Sequence, residues 1–362
     1  MKKTVFLTIC CFCLTFFVYA QTNPYGYTEG AQIFSETFDT AASLSNFTQS
    51  GTGNYTIEWL DYTGKKVYGG SGNTGCEDLS GTTFTDSDIG VAPNTGDASK
   101  NAIRMIVNPS TITPAIQSVA NIYTNTAFSG DYRVYVDMFF RVNGPPDDGG
   151  TGSTENGIVG VNHGGAKIIN QQQDGDSQNP TDTDGYFFIL NGERGTGATG
   201  DACLFEGDPA AQDVAKYLVN VLPCGDVDPA TVIGSGLGIT DNNEWLNFMP
   251  YGVDKYRYRG APGDSWITFI MDSLTIESEH ITIVYINNGT EVKEITRYSD
   301  ADATYASGKI LLGYEDRFTS SNAPEESYLI FDNLKVCSLD APPPTPTPIP
   351  PLNVDSPWSL YE

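Results

Sequence analysis

The stretch GKILLGYEDRFTSSNAPEESYLIFDNLKV, residues 308–336, decides how this chain is read. Two apolar runs, 309–313 and 328–336, flank an acidic, polar loop. Runs this short, rich in Leu, Ile, Tyr, Phe and Val and bounded by Gly, Ser, Asn and Pro, are strands rather than helices. A strand that falls this late in a chain needs neighbours, because an open edge presents a row of unpaired backbone donors and acceptors.

Working outward, the same signal recurs. Strand-like runs are AQIFSETFD (31–39), YTIEWL (55–60), AIRMIV (102–107), GIVGV (157–161) and GYFFIL (185–190). WITFIMDS (266–273), SLTIES (273–278), HITIVYI (280–286) and EVKEITRY (291–298) continue the series. DYRVYVDMFFRVN (131–143) is the clearest. Tyr132, Val134, Val136, Met138 and Phe140 fall on one face, and Arg133, Tyr135, Asp137, Phe139 and Arg141 on the other, an amphipathic alternation. Asn287-Asn288-Gly289 is a hairpin signal. DPAAQDVAKYLVN (208–220) is the one helix candidate, with Asp208 and Pro209 at its start.

Composition supports the all-β reading. Among 362 residues are 20 Tyr, 18 Phe, 4 Trp and 38 Gly, against 18% charged residues, and aromatics and turn formers favour strands. The net charge of −26 and the lack of a basic stripe exclude a nucleic-acid partner and disfavour an anionic membrane surface. Such a charge suits a soluble protein outside the cell. Residues 1–20, MKKTVFLTICCFCLTFFVYA, read as a signal peptide. Lys2 and Lys3 precede an apolar run, and Val18-Tyr19-Ala20 precedes the cut. The expected export is bacterial, to the medium or cell surface, with no transmembrane segment in the mature chain.

Seven cysteines are present, three of them in the leader. The four that remain, Cys76, Cys203, Cys224 and Cys337, are an even number in an exported chain, so two disulfides are expected. Three connectivities are open, with Cys203–Cys224 favoured by closeness in sequence and Cys76–Cys337 as the remainder. The body spans residues 21–340. Residues 341–351, APPPTPTPIPP, read as a polyproline-II spacer, and residues 352–362 form a short tail.

FSETFD (34–39), GDYRVYVDMFF (130–140), the WITFIMDS–HITIVYINNGTEV region and GKILLGYEDRF…YLIFDNLKV together resemble the concanavalin A-like lectin/glucanase superfamily, including its LamG-like members, over residues 31–337. The resemblance implies an antiparallel β-sandwich of jelly-roll type, often with a glycan in the concave groove. It also implies that first and last strands lie side by side, so Phe331-Asp332-Asn333 is expected beside residues 34–39. Sandwiches of this type often hold a structural calcium near that seam, with Glu36 and Asp332 as the expected ligands and Ca2+ as the expected cofactor.

Glucanases of this superfamily carry E-x-D-x-x-E on one strand, where alternate residues share a face and can divide acid/base and nucleophilic roles. This chain lacks that pattern; Glu277-Ser278-Glu279-His280-Ile281-Thr282 is the nearest approach and reads as a strand end or hairpin turn. Polysaccharide lyases pair Tyr or His with Arg and an amide. Tyr256-Arg257-Tyr258-Arg259 has the residue types, and His163, in GVNHGG, reads as a loop histidine. The loop Asp174 to Gly185 is acidic but fails the EF-hand spacing.

A glycan needs aromatic rings for its C–H faces and polar groups for its hydroxyls. Trp245, Tyr256 and Tyr258 in a loop-rich region, and Tyr314, Glu315 and Asp316 at a strand end, supply these, whereas Trp59 and Trp266 read as core. The expectation is a secreted, non-catalytic carbohydrate-binding protein with an extracellular glycan as partner. A glycoside hydrolase or lyase with an atypical site, and a structural cell-surface protein, are the alternatives.

Overall fold

The structure, a computed structural model, describes residues 23–67, 87–96, 98–108, 118–141, 155–169, 183–191, 202–207, 216–220, 248, 262–301, 304–316 and 328–343. The leader, Cys76, Cys224, Trp245, Tyr256, Tyr258, the Pro-rich tract beyond residue 343 and the tail lie outside these. The strands are β1 Thr28–Glu36, β2 Phe47–Thr52, β3 Tyr55–Asp61, β4 Lys66–Val67, β5 Ser87–Asp88, β6 Asn101–Val107, β7 Ser118–Thr124, β8 Phe128–Ser129 and β9 Tyr132–Arg141. They continue as β10 Glu155–His163, β11 Tyr186–Asn191, β12 Ala202–Glu206, β13 Lys216–Asn220, β14 Trp266–Ile276, β15 Glu279–Asn287, β16 Val292–Asp300, β17 Ser307–Asp316 and β18 Tyr328–Asp340.

Among the described residues these strands build two large antiparallel sheets. The first runs β16-β15-β14-β9-β18-β6-β3, with β1 also on β18; the second runs β13-β12-β11-β10-β17-β7-β2, with β8 also on β17. The inward residues predicted for β9, from Tyr132 to Phe140, all lie in the core between the sheets, facing Val159, Phe188, Leu312 and Tyr314 of the second sheet. The expected sandwich is therefore what forms. No helix among the described residues is long and apolar enough to cross a membrane.

The first and last strands do pair, in a register offset from the expected one. Phe34 lies opposite Val336 and Glu36 opposite Leu334, because β6 already occupies the same edge of β18 at Leu329, Ile330 and Phe331. Asn333, with φ 52°, marks the irregularity in β18 between Asp332 and Lys335. The helix expected over 208–220 is corrected at its described end: residues 216–220 form β13, pairing with β12. Apolar Tyr217, Leu218 and Val219 supply a strand run that outweighs the helix-start signal.

The second face of β9 departs from the amphipathic reading: Arg133, Asp137, Phe139 and Arg141 are all buried. The excursion between β3 and β6 packs Tyr62, Val67 and Ile89 over Phe139 and Ile330. Tyr25 and Tyr27 pack over Ile270, Ile283 and Tyr285. Both faces of the first sheet are therefore covered, and alternation alone does not report what a loop will lay over the polar side.

β18 runs from Tyr328, opposite Arg141, to Asp340, opposite Thr28. The sandwich thus has a distal pole at Tyr328 and a terminal pole where both ends of the described chain meet.

Candidate functional site

At the distal pole, strand ends of the second sheet bring polar side chains into line. Glu155 lies opposite Asp316 and Asn156 opposite Glu315 across β10 and β17, while Ser118 lies opposite Asp316 across β17 and β7. All five are essentially without exposure. Asn156 Nδ2 donates to Glu315 Oε1 at 2.8 Å. Asn108, at the end of β6 with φ 51°, joins the two sheets: its Nδ2 donates to Asp316 Oδ2 and its Oδ1 accepts the Ser118 hydroxyl at 2.9 Å. An Asn tolerates this left-handed backbone, which most residues do not. Side-chain alternation puts Glu155, Asp316 and Ser118 toward the inner face and Asn156 and Glu315 toward the outer one.

Of the aromatic and acidic residues proposed for ligand binding, Glu315 and Asp316 stand in this rim. Tyr314 does not serve as a platform: it is 1% exposed and part of the inter-sheet core, because it alternates inward with Leu312. Trp245, Tyr256 and Tyr258 fall outside the described residues; Phe248 and Asp264, which are described, are held at the distal pole. Asn288 Nδ2, in the β15–β16 turn, donates to the carbonyl of Phe248. The amide of Asp264 donates to the carbonyl of Phe140 at 2.7 Å, and Arg141 Nη1 meets Asp264 Oδ1 at 3.0 Å. Glu155, Asn156, Ser118 and Asn108 were not singled out in the sequence. The signal available was that each stands where an apolar strand run meets a polar loop.

The calcium ligands implied by the resemblance are not brought together. Phe331 and Leu334 both point into the core, so Asp332 turns to the outer face of the first sheet, opposite Asp137. Glu36, in register with Leu334, is on the inner side. Its oxygens accept the Phe38 amide at 3.1 Å and Asn46 Nδ2 at 2.6 Å. N–H groups aimed at a carboxylate occupy the positions a cation would take, so the pair does not fit a shared metal. Among the described residues no group of three or more His, Cys, Asp or Glu is arranged to hold one.

Asp137 instead centres a network of donors. Asn94 gives it a backbone amide at 2.9 Å and its side-chain Nδ2 at 2.6 Å; Thr268 and Asn333 add bonds at 2.7 and 2.8 Å. Burial nevertheless pushes its carboxyl above the usual range, with those hydrogen bonds opposing.

Trp59 and Trp266, expected in the core, are half-buried at its margin, where their indoles donate to the carbonyls of Phe38 and Gly90. The near-miss acid run also resolves: Glu277, with φ 58°, forms the turn between β14 and β15. His163 is not a loop histidine. It ends β10, is buried, and has Nδ1 2.9 Å from Asp184 Oδ1. Burial raises the Asp184 carboxyl, but the His163 hydrogen bond and charge and the Gly164 amide outweigh it and hold the group low. Cys337 carries a buried free thiol rather than the expected disulfide sulfur. It stands opposite Arg133 in the sheet, where burial and then the Glu29 side chain raise its pKa to about 11. Cys203 lies in β12.

No family model matches the chain, and no curated protein matches it. Solved structures do. A protein of unknown function with a galectin-like fold from Bacillus subtilis is 11% identical, with TM-score 0.40, covering 87% of this chain and 100% of that one. A legume lectin-like domain from Entamoeba histolytica is 10% identical, with TM-score 0.33, covering 65% of this chain and 82% of that one. The VIP36 exoplasmic/lumenal domain in a Ca2+/Man2-bound form is 10% identical, with TM-score 0.35, covering 69% and 80%. At such values the likenesses carry no argument about function.

Proposed function

We propose that this chain is an exported carbohydrate-binding sandwich whose site is the distal rim of the second sheet. The observation that carries the reading is the placement of Glu155, Asn156, Glu315 and Asp316 on neighbouring strand ends, at the pole where the described residues flanking Tyr256 and Tyr258 are tied down. Carboxylates and amides held by a rigid sheet suit sugar hydroxyls, which both donate and accept; all four are covered in the folded chain, so a sugar would meet them by way of Asn156 and Glu315, the pair that alternates to the outer face. Trp245, Tyr256 and Tyr258 would add the ring faces that sugars stack on. Affinity electrophoresis through gels containing neutral and acidic polysaccharides tests this. Retardation by at least one polysaccharide, weakened at least fivefold in Glu315→Gln, is the expected result. Unretarded migration in every gel, or equal retardation of the variant, would sink it.

One observation favours a second reading. Glu155 and Asp316 are direct cross-strand neighbours, with Cβ atoms about 4.5–5.5 Å apart by sheet geometry, and two carboxylates are what glycoside hydrolysis requires. Release of reducing ends from a retained polysaccharide, abolished in Asp316→Asn, would establish that reading in place of the non-catalytic one.

A further inference from the structure

The chain's two histidines sit at the terminal pole, on either side of one irregular residue. Asn162 has φ 63°, and β10 slips register against β17 between Gly160 and His163. A bulge of this kind re-aims side chains. It turns His163 toward Tyr123 and Phe187, members of the cluster on the outer side of the second sheet, and Asn162 into the space between the sheets. There Asn162 Oδ1 accepts the Tyr132 hydroxyl at 2.6 Å, and its Nδ2 donates to Ser273 Oγ at 3.0 Å and to the Tyr305 carbonyl at 2.8 Å.

His280 lies against this clasp. Its ring stacks on Tyr186 at 4.7 Å, and its Nε2 is 3.4 Å from Asn162 Nδ2 and 3.3 Å from Thr282 Oγ1. Its Nδ1 is buried without a hydrogen-bond partner. A neutral imidazole needs one acceptor and an imidazolium needs two. Both hydrogens of Asn162 Nδ2 are already given to Ser273 and Tyr305, and Thr282 Oγ1 is the acceptor at hand. The charged group nearest in the sheet is Asp300, directly opposite His280 on β16. It is engaged: its Oδ2 accepts the Tyr186 hydroxyl at 2.7 Å and the Thr304 amide at 3.1 Å. From β12, Glu206 is occupied by the Tyr298 hydroxyl at 3.0 Å. β14 contributes Thr275 opposite His280 and Ser273, both uncharged; Tyr132 of β9 and Tyr186 of β11 are the remaining titratable neighbours. His163, on the other face, is held by Asp184 and faces Lys309 across the strands.

We propose that His280, Asp300 and Asn162 form an acid-operated latch on residues 304–306, the segment that leads into β17. A proton on Nδ1 gives His280 a donor with no acceptor in reach, and the imidazolium draws the Asp300 carboxylate away from the Tyr186 hydroxyl and the Thr304 amide. Thr304 then loses its hold on Asp300, and the Asn162 bond to the Tyr305 carbonyl is crowded by the charged ring. Burial holds the His280 pKa down to about 4, against the pull of Asp300, so the latch stays shut at neutral pH.

Hydrogen exchange followed by mass spectrometry between pH 7 and pH 3.5, corrected for intrinsic rates, tests it. Protection of residues 304–310 should fall about tenfold relative to β14 and β15 as the pH drops below about 5, the scale of a local opening rather than global unfolding. His280→Gln should remove that local loss, and His163→Gln should retain it. Asp300→Asn, which keeps a side-chain oxygen for Tyr186 and Thr304 but offers no charge to an imidazolium, should abolish the local step as well. The proposal is overturned if His280→Gln loses protection at the same pH as the wild type. It is equally overturned if residues 304–310 in the wild type open only together with β14 and β15.

Discussion

Arg133 and Asp272 face each other across β9 and β14 with 3% and 0% of their side chains exposed. Arg133 Nη2 donates to Asp272 Oδ2 at 2.8 Å, and Asn23 Nδ2 donates to the same oxygen at 2.7 Å. Removing one partner leaves a buried charge uncompensated, so Arg133→Met should lower the unfolding free energy by about 3–5 kcal/mol. The double variant Arg133→Met/Asp272→Leu should recover part of that loss, because it removes the unpaired buried charge, although Asn23 Nδ2 and the Tyr285 hydroxyl lose their acceptor. Urea titrations of the three proteins check the coupling, and additive losses would contradict it. His280 sets a pH dependence of known sign. Its folded pKa of about 4 lies below the ordinary 6.5, so the unfolded chain binds the extra proton between these values. Stability is full above pH 6.5 and declines as the pH falls toward 4, by roughly 3 kcal/mol for this one group. His280→Gln should flatten that part of the profile, read from urea midpoints at fixed pH.

The second sheet depends at the level of its strands on close approach between neighbours. Gly313 in β17 lies opposite Asn121 in β7, and a Cβ there would meet Asn121 Oδ1 at 2.4 Å. Gly313→Ala should therefore destabilise by about 1–3 kcal/mol, and trimming the opposing side chain in Gly313→Ala/Asn121→Ala should return part of it. Thermal melts of both variants decide, and an unshifted single variant would refute the packing argument.

The strand runs at β9, β14, β15 and β18 were legible in the sequence, because alternating apolar residues state a strand and its inner face. β2 and β7 were not. FTQSGT and SVANIYT carry too many small polar residues to stand out, and they become strands by pairing with each other and, through β7, with β17. β13 was misread because a short apolar run beside an Asp-Pro start satisfies both periodicities. Register at the β1–β18 seam was hidden for another reason. It is set by β6, a strand distant in sequence that claims the edge of β18 first.

For the whole molecule, closure of the first and last strands follows from backbone pairing and core packing, with Phe34 opposite Val336 and Asp137 satisfied by neutral donors. Prolonged treatment with EDTA should accordingly leave the thermal midpoint unchanged within about 1 °C, whereas a bound stabilising ion would make it fall by mass action. A chelator-induced drop restored by calcium would show that the protein holds a stabilising calcium ion.

The candidate site was legible only in part. Glu315 and Asp316 announced themselves by following an apolar run, but Glu155, Asn156, Ser118 and Asn108 join them through pairings between segments as much as 208 residues apart, as in the Asn108–Asp316 bond. Tyr314 looked equally eligible, and only the sandwich shows that it points inward. The same topology sets the rim at the distal pole and both ends of the described chain at the other.

The most direct measurement is a glycan-array profile of the wild type beside Glu315→Gln and Asp316→Asn, at neutral pH with all three shown folded by circular dichroism. The account predicts a restricted set of glycans retained by the wild type and lost or at least fivefold weakened in both variants. A wild type that retains none, or variants that match it glycan for glycan, would contradict the placement of the site.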